Sequence, residues 1–398
     1  MPELDRRLFA ILHSSLKDCP IRLRFRDGAD LPPSHGPATT TVAIQDRLTL
    51  LKLLWDPERH FGDAYVDGRI TVDGDLFALL EPIFHSWKDT PGGRFRLALA
   101  RLARFGSSRD DIHHHYDIGN DFYRLWLDSQ LVYTCAYFPT PTATLDEAQE
   151  AKLDLVCRKL GLRPGERVVE AGCGWGALAL HMARRHGVTV KAYNISREQV
   201  RYARQAAATA GLAHRVEFIE DDFREMRGPA DAFVSVGMIE HAGRGRYRAF
   251  GEVIDRCLDR GHGRGLLHFI GRTRRRPLNP WTGRRIFPGA YPPTLAEVTE
   301  QVLAPRGLSV LDVENLRLHY AKTLEHWRTR FEAAAGTIEE MFDARFVRTW
   351  RLYLAASQAS FATSFLQLYQ VTFARGRNNG IPWTRAQLYT RDGNDGAL

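Results

Sequence analysis

Short apolar runs alternate with longer stretches of helical period through the middle of the chain. RVVEAG, VTVKAYNI, RVEFIED, ADAFVSVGM and GLLHFIG are bounded by Gly, Pro or charged turns and separated by helix-length segments. Near-continuous apolar strands joined by helices predict an α/β fold with a mostly parallel sheet covered on both faces. Two more strand candidates follow, LSVLDVENL and QLYQVTFARG. The stretch between them, about 317–366, carries a helical pattern only. It is longer than an ordinary crossover and predicts a helical lid inserted late in the fold.

The first part of the chain reads differently. Strand-like IRLRF and ATTTVAI precede helical patterns and the Gly-marked turns of FGDAYVDGRITVDGDL. A smaller α+β domain over residues 1–105 is therefore expected ahead of a catalytic domain over 106–398. Between them, Pro91, Gly92 and Gly93 open a stretch with Phe95, Leu99 and Leu102 on one helical face and Arg94, Arg101 and Arg104 on another. Such a basic amphipathic helix suits either packing between domains or a membrane surface.

Composition narrows the class. A chain of 398 residues with 44% hydrophobic and 26% charged content is an ordinary globular protein. Its apolar runs are broken well before membrane-spanning length. The start, MPELDRRLFAILHSSL, has Asp5, Arg6 and Arg7 where an export signal needs continuous apolar residues, so a cytoplasmic location is expected. Five cysteines without a C-x-x-C pair argue against a disulfide framework and a zinc ribbon. Consecutive His113 to His115 present no common face, so no metal is expected. The net charge is +8, and seven of the 55 basic residues are Lys, the rest Arg. GC-rich coding accounts for that bias as readily as phosphate binding does. A basic surface still favours an anionic partner, nucleic acid or lipid headgroups.

VVEAGCGWGALALHMARRHG holds the candidate chemistry. A buried strand runs into Gly172, Gly174 and Gly176 and then into a helix closed by Gly187. Glycines let the backbone approach a ligand, and the helix start offers free N–H groups. A dinucleotide site would place its third glycine one position later and end its second strand in an acidic residue, whereas this strand ends in Asn194. The spacing suits the amino-acid end of S-adenosylmethionine better. Asn194 and Ile195 would line the ribose side. Gln199 has capping-box spacing from Ser196, a role compatible with cofactor contact. Asp222 and Phe223, after the third strand, are placed for the adenine amino group and ring face, or form an ordinary strand-end turn.

Upstream, HYDIGNDFYRLWLDSQLVYTCAYF crowds eight aromatic or His side chains into 24 residues. Taken with GCGWG, NISREQ, VGMIEHAG, LLHFIG, NPWTGRRIFPGAYPP and GDAYVDGRITVDGDL, it closely resembles the cyclopropane-fatty-acyl-phospholipid synthase family over roughly residues 55–390. Mycolic acid cyclopropane synthases share the catalytic part but lack such a first domain.

The resemblance implies a Rossmann-like class I methyltransferase with a seven-stranded sheet, an N-terminal lipid-associated domain, and S-adenosylmethionine as methyl donor. In that chemistry a cis double bond attacks the sulfonium methyl, and a base then removes a proton so that the ring closes. In the family the base is a bicarbonate. Its site matches Glu240, His268 and Tyr320, with Cys135 and Ile270 at the backbone positions. Tyr133 and Thr134 match the positions that contact the methionine end. The ring faces of Tyr137 and Phe138 would shield or stabilise the cation. Taken singly, Glu240 reads as a helix cap, His268 as a core residue and Tyr320 as a brace for the lid. The implied partners are unsaturated phospholipids at the inner membrane face and no nucleic acid, with a homodimer left open.

One departure stands out, since YLAASQASF carries Ser357 where much of the family has cysteine. A bicarbonate base needs no thiol, so activity is expected to survive. Three alternatives stay open: a methyl- or methylene-branching enzyme of the same family, a nucleic-acid methyltransferase, and a non-catalytic lipid-binding protein. The second lacks D/N-P-P-Y/F and Pro-Cys motifs. Arg272, Arg274, Arg275, Arg276, Arg284 and Arg285, with Trp281 and Phe287, read as a loop near phosphate headgroups or as a solvated basic loop.

Overall fold

A computed structural model describes residues 3–87 and 118–389, so the basic stretch at 91–104 and the histidines at 113–115 lie outside the described residues. The described residues fall into two compact units.

The first unit joins residues 3–87 to Arg276–Ala290 and Tyr320–Leu366. Its sheet has the order β2-β1-β3-β4, with β1 (Ile21–Phe25), β2 (Asp30–Leu31), β3 (Thr40–Ile44) and β4 (Ile70–Asp73). Alternation buries Ile21, Leu23 and Phe25 together with Val42 and Ile44. Phe9, from helix Glu3–Ser15, meets the Phe25 ring at 5.8 Å. FGDAYVDGRITVDGDL, expected as turns, instead ends helix Pro57–Val66 and supplies β4. Asp56 caps that helix and Pro57 starts it. The four residues of β4 gain their partners only by pairing Ile70 with Ile44 and Val72 with Val42.

The late helical stretch is present as Arg317–Ala333, Ala335–Met341 and Ala344–Ala362. From Tyr320 onward it clusters with the N-terminal residues. Arg328 ties it there, donating to Gln358 at 2.6 Å and Asp75 at 2.7 Å. Four of the arginines read as a headgroup loop or a solvated basic loop have ion-pair partners. Arg284 and Arg285 reach Asp63 at 3.2 and 3.1 Å, and Arg276 pairs with Glu58 while lying 4.6 Å from the Phe365 ring centre. In the other unit Arg275 pairs with Glu297, and Arg272 is buried.

Buried Trp281 lies flat on Gly62, where an added Cβ would come within 2.5 Å of the indole. Gly62→Ala is expected to cost about 1–3 kcal/mol, read as a lower urea midpoint. Trp281→Leu in the same chain should recover part of it; no loss in Gly62→Ala would mean the indole moves freely.

The second unit holds residues 118–275, Tyr291–His319 and 367–389. Its seven strands are β5 (Arg167–Ala171), β6 (Thr189–Asn194), β7 (Val216–Glu220), β8 (Ala232–Val236), β9 (Arg264–Gly271), β10 (Leu308–Asn315) and β11 (Gln367–Arg375). They run in the order β10-β11-β9-β8-β5-β6-β7. β5 to β9 are mutually parallel, and β11 runs against both its neighbours. All seven strands read from apolar patterning are present. One face is packed by Leu153, Val156, Leu178, Met182 and Val200, the other by Phe233, Phe250, Ile254, Phe269 and Phe373. Strand order reverses between β6-β5 and β5-β8, which opens a ligand crevice at the carboxyl ends of β5 and β8. Among the described residues no helix is long and apolar enough to cross a membrane.

Candidate active site

At the carboxyl end of β5 the glycine loop turns into helix Ala177–His186 with positive φ at Gly172, Gly174 and Gly176. A Cβ on Gly176 would sit 2.6 Å from the Phe218 ring, so this glycine serves packing. A Cβ on Gly174 would meet nothing within 4 Å, so its φ of +53° leaves that backbone open to a ligand. Asn194, ending β6, donates to the Gly174 carbonyl at 3.2 Å and to Gln199 Oε1 at 2.7 Å. The Ser196 hydroxyl accepts from the Gln199 N–H, but the Gln199 side chain faces Asn194, so the reciprocal bond of a capping box is not made. Ile195 follows, half-buried. Asp222 caps the turn after β7 by accepting from the Arg224 N–H, and both its oxygens take the Arg224 guanidinium. Phe223 stands edge-on to Phe250 at 5.5 Å.

The segment carrying Tyr133, Thr134 and Cys135 has no strand partner, so side chains satisfy its backbone. Asp128 accepts from Gln130 and Val132, each at 2.9 Å. Gln149, on helix Leu145–Leu160, donates to the carbonyls of Val132 at 3.1 Å and Thr134 at 2.9 Å. From the same helix Lys152 donates to the Thr134 hydroxyl at 3.1 Å. Burial pulls Lys152 down to about 8 and pushes Glu170, on β5, up to about 8. Tyr133 packs at 5.4 Å from Tyr123 and 5.3 Å from Trp126, and Trp175 of the glycine loop meets Tyr123 at 5.0 Å. An aromatic wall thus joins this segment to the loop. Phe138 donates its N–H to His319 Nδ1 at 3.0 Å, and Tyr137 stacks on that imidazole at 4.8 Å.

Glu240 follows β8 and His268 stands in β9, at position pairs aligned by the parallel register Val236 with His268. Both are buried, at 4% and 2% exposure. The Ile270 N–H donates to Glu240 Oε1, so Ile270 holds the carboxylate. Burial pushes Glu240 up to about 7 against that bond, and burial with the charges of Lys152 and Lys159 holds His268 well below the usual imidazole range. Among the described residues Glu240 Oε2 and His268 Nε2 have no hydrogen-bond partner. Cys135 is buried in the same unit, its thiol donating to the Ala136 carbonyl at 3.1 Å. Tyr320 belongs to the first unit, where its ring stacks on Phe361 at 4.4 Å. Ser357 lies one helical turn before Phe361, half-buried.

The family model for mycolic acid cyclopropane synthetase matches residues 105–371. This chain belongs to that family. It is an S-adenosylmethionine-dependent methyltransferase of the group that includes the cyclopropane-fatty-acyl-phospholipid synthases. A probable fatty acid methyltransferase of Pseudomonas putida is 34% identical over 389 residues, 93% of this chain and 96% of that one. The cyclopropane-fatty-acyl-phospholipid synthase of Escherichia coli strain K12 is 34% identical over 360 residues, covering 87% and 91%. Among solved structures, mycolic acid cyclopropane synthase CmaA1 complexed with SAH and CTAB aligns with a TM-score of 0.64 and 31% identity, covering 68% of this chain and 99% of that one.

Several residues that hydrogen-bond to the candidate site residues or their neighbours carry no motif in the sequence. Gln149 and Lys152 fall on the apolar face of their helix with Leu153 and Val156, and polar residues at core positions were the available sign. His319, beside Tyr320 in HYAKTL, was equally visible as a histidine next to a motif residue. Gln370 gave no local sign, because it sits in an ordinary strand.

Proposed function

We propose that this protein transfers the methyl carbon of S-adenosylmethionine to a cis double bond of an unsaturated phospholipid acyl chain and closes a cyclopropane ring, with a bound bicarbonate as base. The observation that carries this reading is the pair of partnerless buried atoms, Glu240 Oε2 and His268 Nε2. Leaving such atoms unmatched costs about 1–3 kcal/mol each, so the site calls for a ligand with a donor for the carboxylate and an acceptor for the ring N–H. Bicarbonate fits, its hydroxyl suiting the carboxylate and its oxygens an imidazole N–H. When bound, bicarbonate supplies the base that takes a proton from the transferred methyl group.

The protein's own residues position and enclose. Glu240 and His268 would hold the base, with the backbone at Cys135 and Ile270 completing its site in this unit; Tyr320 is a further position that the family resemblance implies. Tyr133 and Thr134 bind the methionine end beside Gly172, Gly174 and Gly176. Asn194, Ile195 and Gln199 take the ribose, and Asp222 with Phe223 the adenine. The Tyr137 and Phe138 ring faces stabilise positive charge on the acyl chain without offering a nucleophile. Attachment is at the inner membrane surface. Leu48, Leu51 and Trp55 support this, being 57%, 42% and 70% exposed along one face of helix Arg47–Trp55.

Similarity to a probable fatty acid methyltransferase favours a second reading, in which the same cation loses a different proton and leaves a methyl or methylene branch. Incubation with S-adenosylmethionine and vesicles of cis-unsaturated phospholipid is expected to give cyclopropane acyl chains by mass spectrometry and NMR. A branched product would install the second reading, and no methyl transfer would end both.

A further inference from the structure

We propose that Gln370 and Lys159 are positioning residues that set the tautomer of His268, keeping its proton on Nε2; the use of that N–H to hold a base rests on the site proposed above. β11 runs antiparallel beside β9 with Gln370 directly opposite His268. The two side chains meet at 3.0 Å, Gln370 Nε2 to His268 Nδ1. On its other side the Gln370 Oε1 lies 2.6 Å from Lys159 Nζ.

The chemistry of the three groups fixes the proton. An ammonium has donors and no acceptor, so only the amide oxygen can face Lys159. The amide NH₂ must then face the ring, and since it donates, Nδ1 has to be the bare nitrogen. Burial and the positive charges of Lys152 and Lys159 keep the ring neutral. Its single proton is therefore on Nε2, the atom without a partner. Lys159 is itself anchored by Glu314 of β10, so its ammonium cannot easily turn away from the amide. Gln370 is 1% exposed and the Lys159 side chain 2%. With the opposite tautomer, a lone pair on Nε2 would face the lone pairs of an anionic base and repel it.

The test uses the full-length protein with ¹⁵N-labelled histidine, assigning His268 by comparison with His268→Gln. Long-range ¹H–¹⁵N spectra should show a protonated Nε2 and a bare Nδ1. Gln370→Glu places an acceptor against Nδ1 and should move the proton there; Gln370→Met should leave a tautomer mixture. In carbon-dioxide-depleted buffer both variants should need about 10- to 100-fold more added bicarbonate for half-maximal rate, with the KM for S-adenosylmethionine unchanged. A wild-type ring protonated on Nδ1 overturns the assignment, as does a Gln370→Glu protein with unaltered spectrum and bicarbonate dependence. Should Gln370→Glu fail to fold, the wild-type spectrum and Gln370→Met decide. Wild-type turnover indifferent to bicarbonate would remove the base reading alone, and the spectra would still decide the tautomer.

Discussion

Glu240→Gln is expected to lower kcat by about a hundred- to a thousandfold while affinity for S-adenosylmethionine stays nearly intact. On the proposed mechanism the carboxylate's free oxygen would hold the base and not the sulfonium, and the amide would present a donor in place of an acceptor. An equal loss of cofactor binding would put Glu240 elsewhere in the mechanism. The same substitution should act on stability with a definite sign. Burial raises Glu240 to about 7 in the folded protein, above its ordinary value. Its contribution to folding is thus fully present below the ordinary carboxylate range and is lost as pH rises through about 7. Removing the ionisable group should make the variant more stable than wild type by up to about 3 kcal/mol at pH ~8 and equal to it near pH ~4. Urea unfolding at the two pH values checks this, and a variant less stable at the higher pH would contradict it. Activity and stability would then move in opposite directions, as expected where a site keeps a charge out of water for use.

The second large effect separates two glycines of one loop. Gly174→Ala should weaken binding of S-adenosylhomocysteine about ten- to a hundredfold, with little change in the urea midpoint beyond the ~1–2 kcal/mol of a left-handed Ala. Its Cβ would meet no protein atom, so whatever it obstructs is a ligand. Gly176→Ala should instead destabilise the fold, because its Cβ would enter the Phe218 ring and the Ala203 methyl. Calorimetric titration beside unfolding tells the two apart. Intact ligand affinity in Gly174→Ala would mean the cofactor's amino-acid end lies away from this backbone.

Much of this was legible because it is written locally. The seven strands of the large sheet are runs of buried apolar residues long enough to declare themselves, and the glycine spacing reflects a turn that only neighbouring residues build. Glu240 and His268 were legible as members of motifs at strand ends, where a parallel sheet places its crevice. β4 was not, since ITVD is too short to announce a strand and gains its hydrogen bonds from β3. A run of arginines in sequence shows charge but not the carboxylates of Glu58, Asp63 and Glu297 that take it up.

The sequence by itself determined the fold class, the glycine loop and the family, because periodicity, glycine geometry and motif are properties of adjacent residues. Tertiary structure alone decided what those residues can do. Gln370 faces His268 across 102 residues of chain only because β11 pairs with β9 in one register, and a one-residue slip would turn Gln370 to the other face. Lys152 and Gln149 support the Tyr133–Cys135 segment only because a helix later in the chain packs beneath it. Hydrogen-bond direction, burial and the resulting proton positions arise from such distant pairings, which local patterning does not encode.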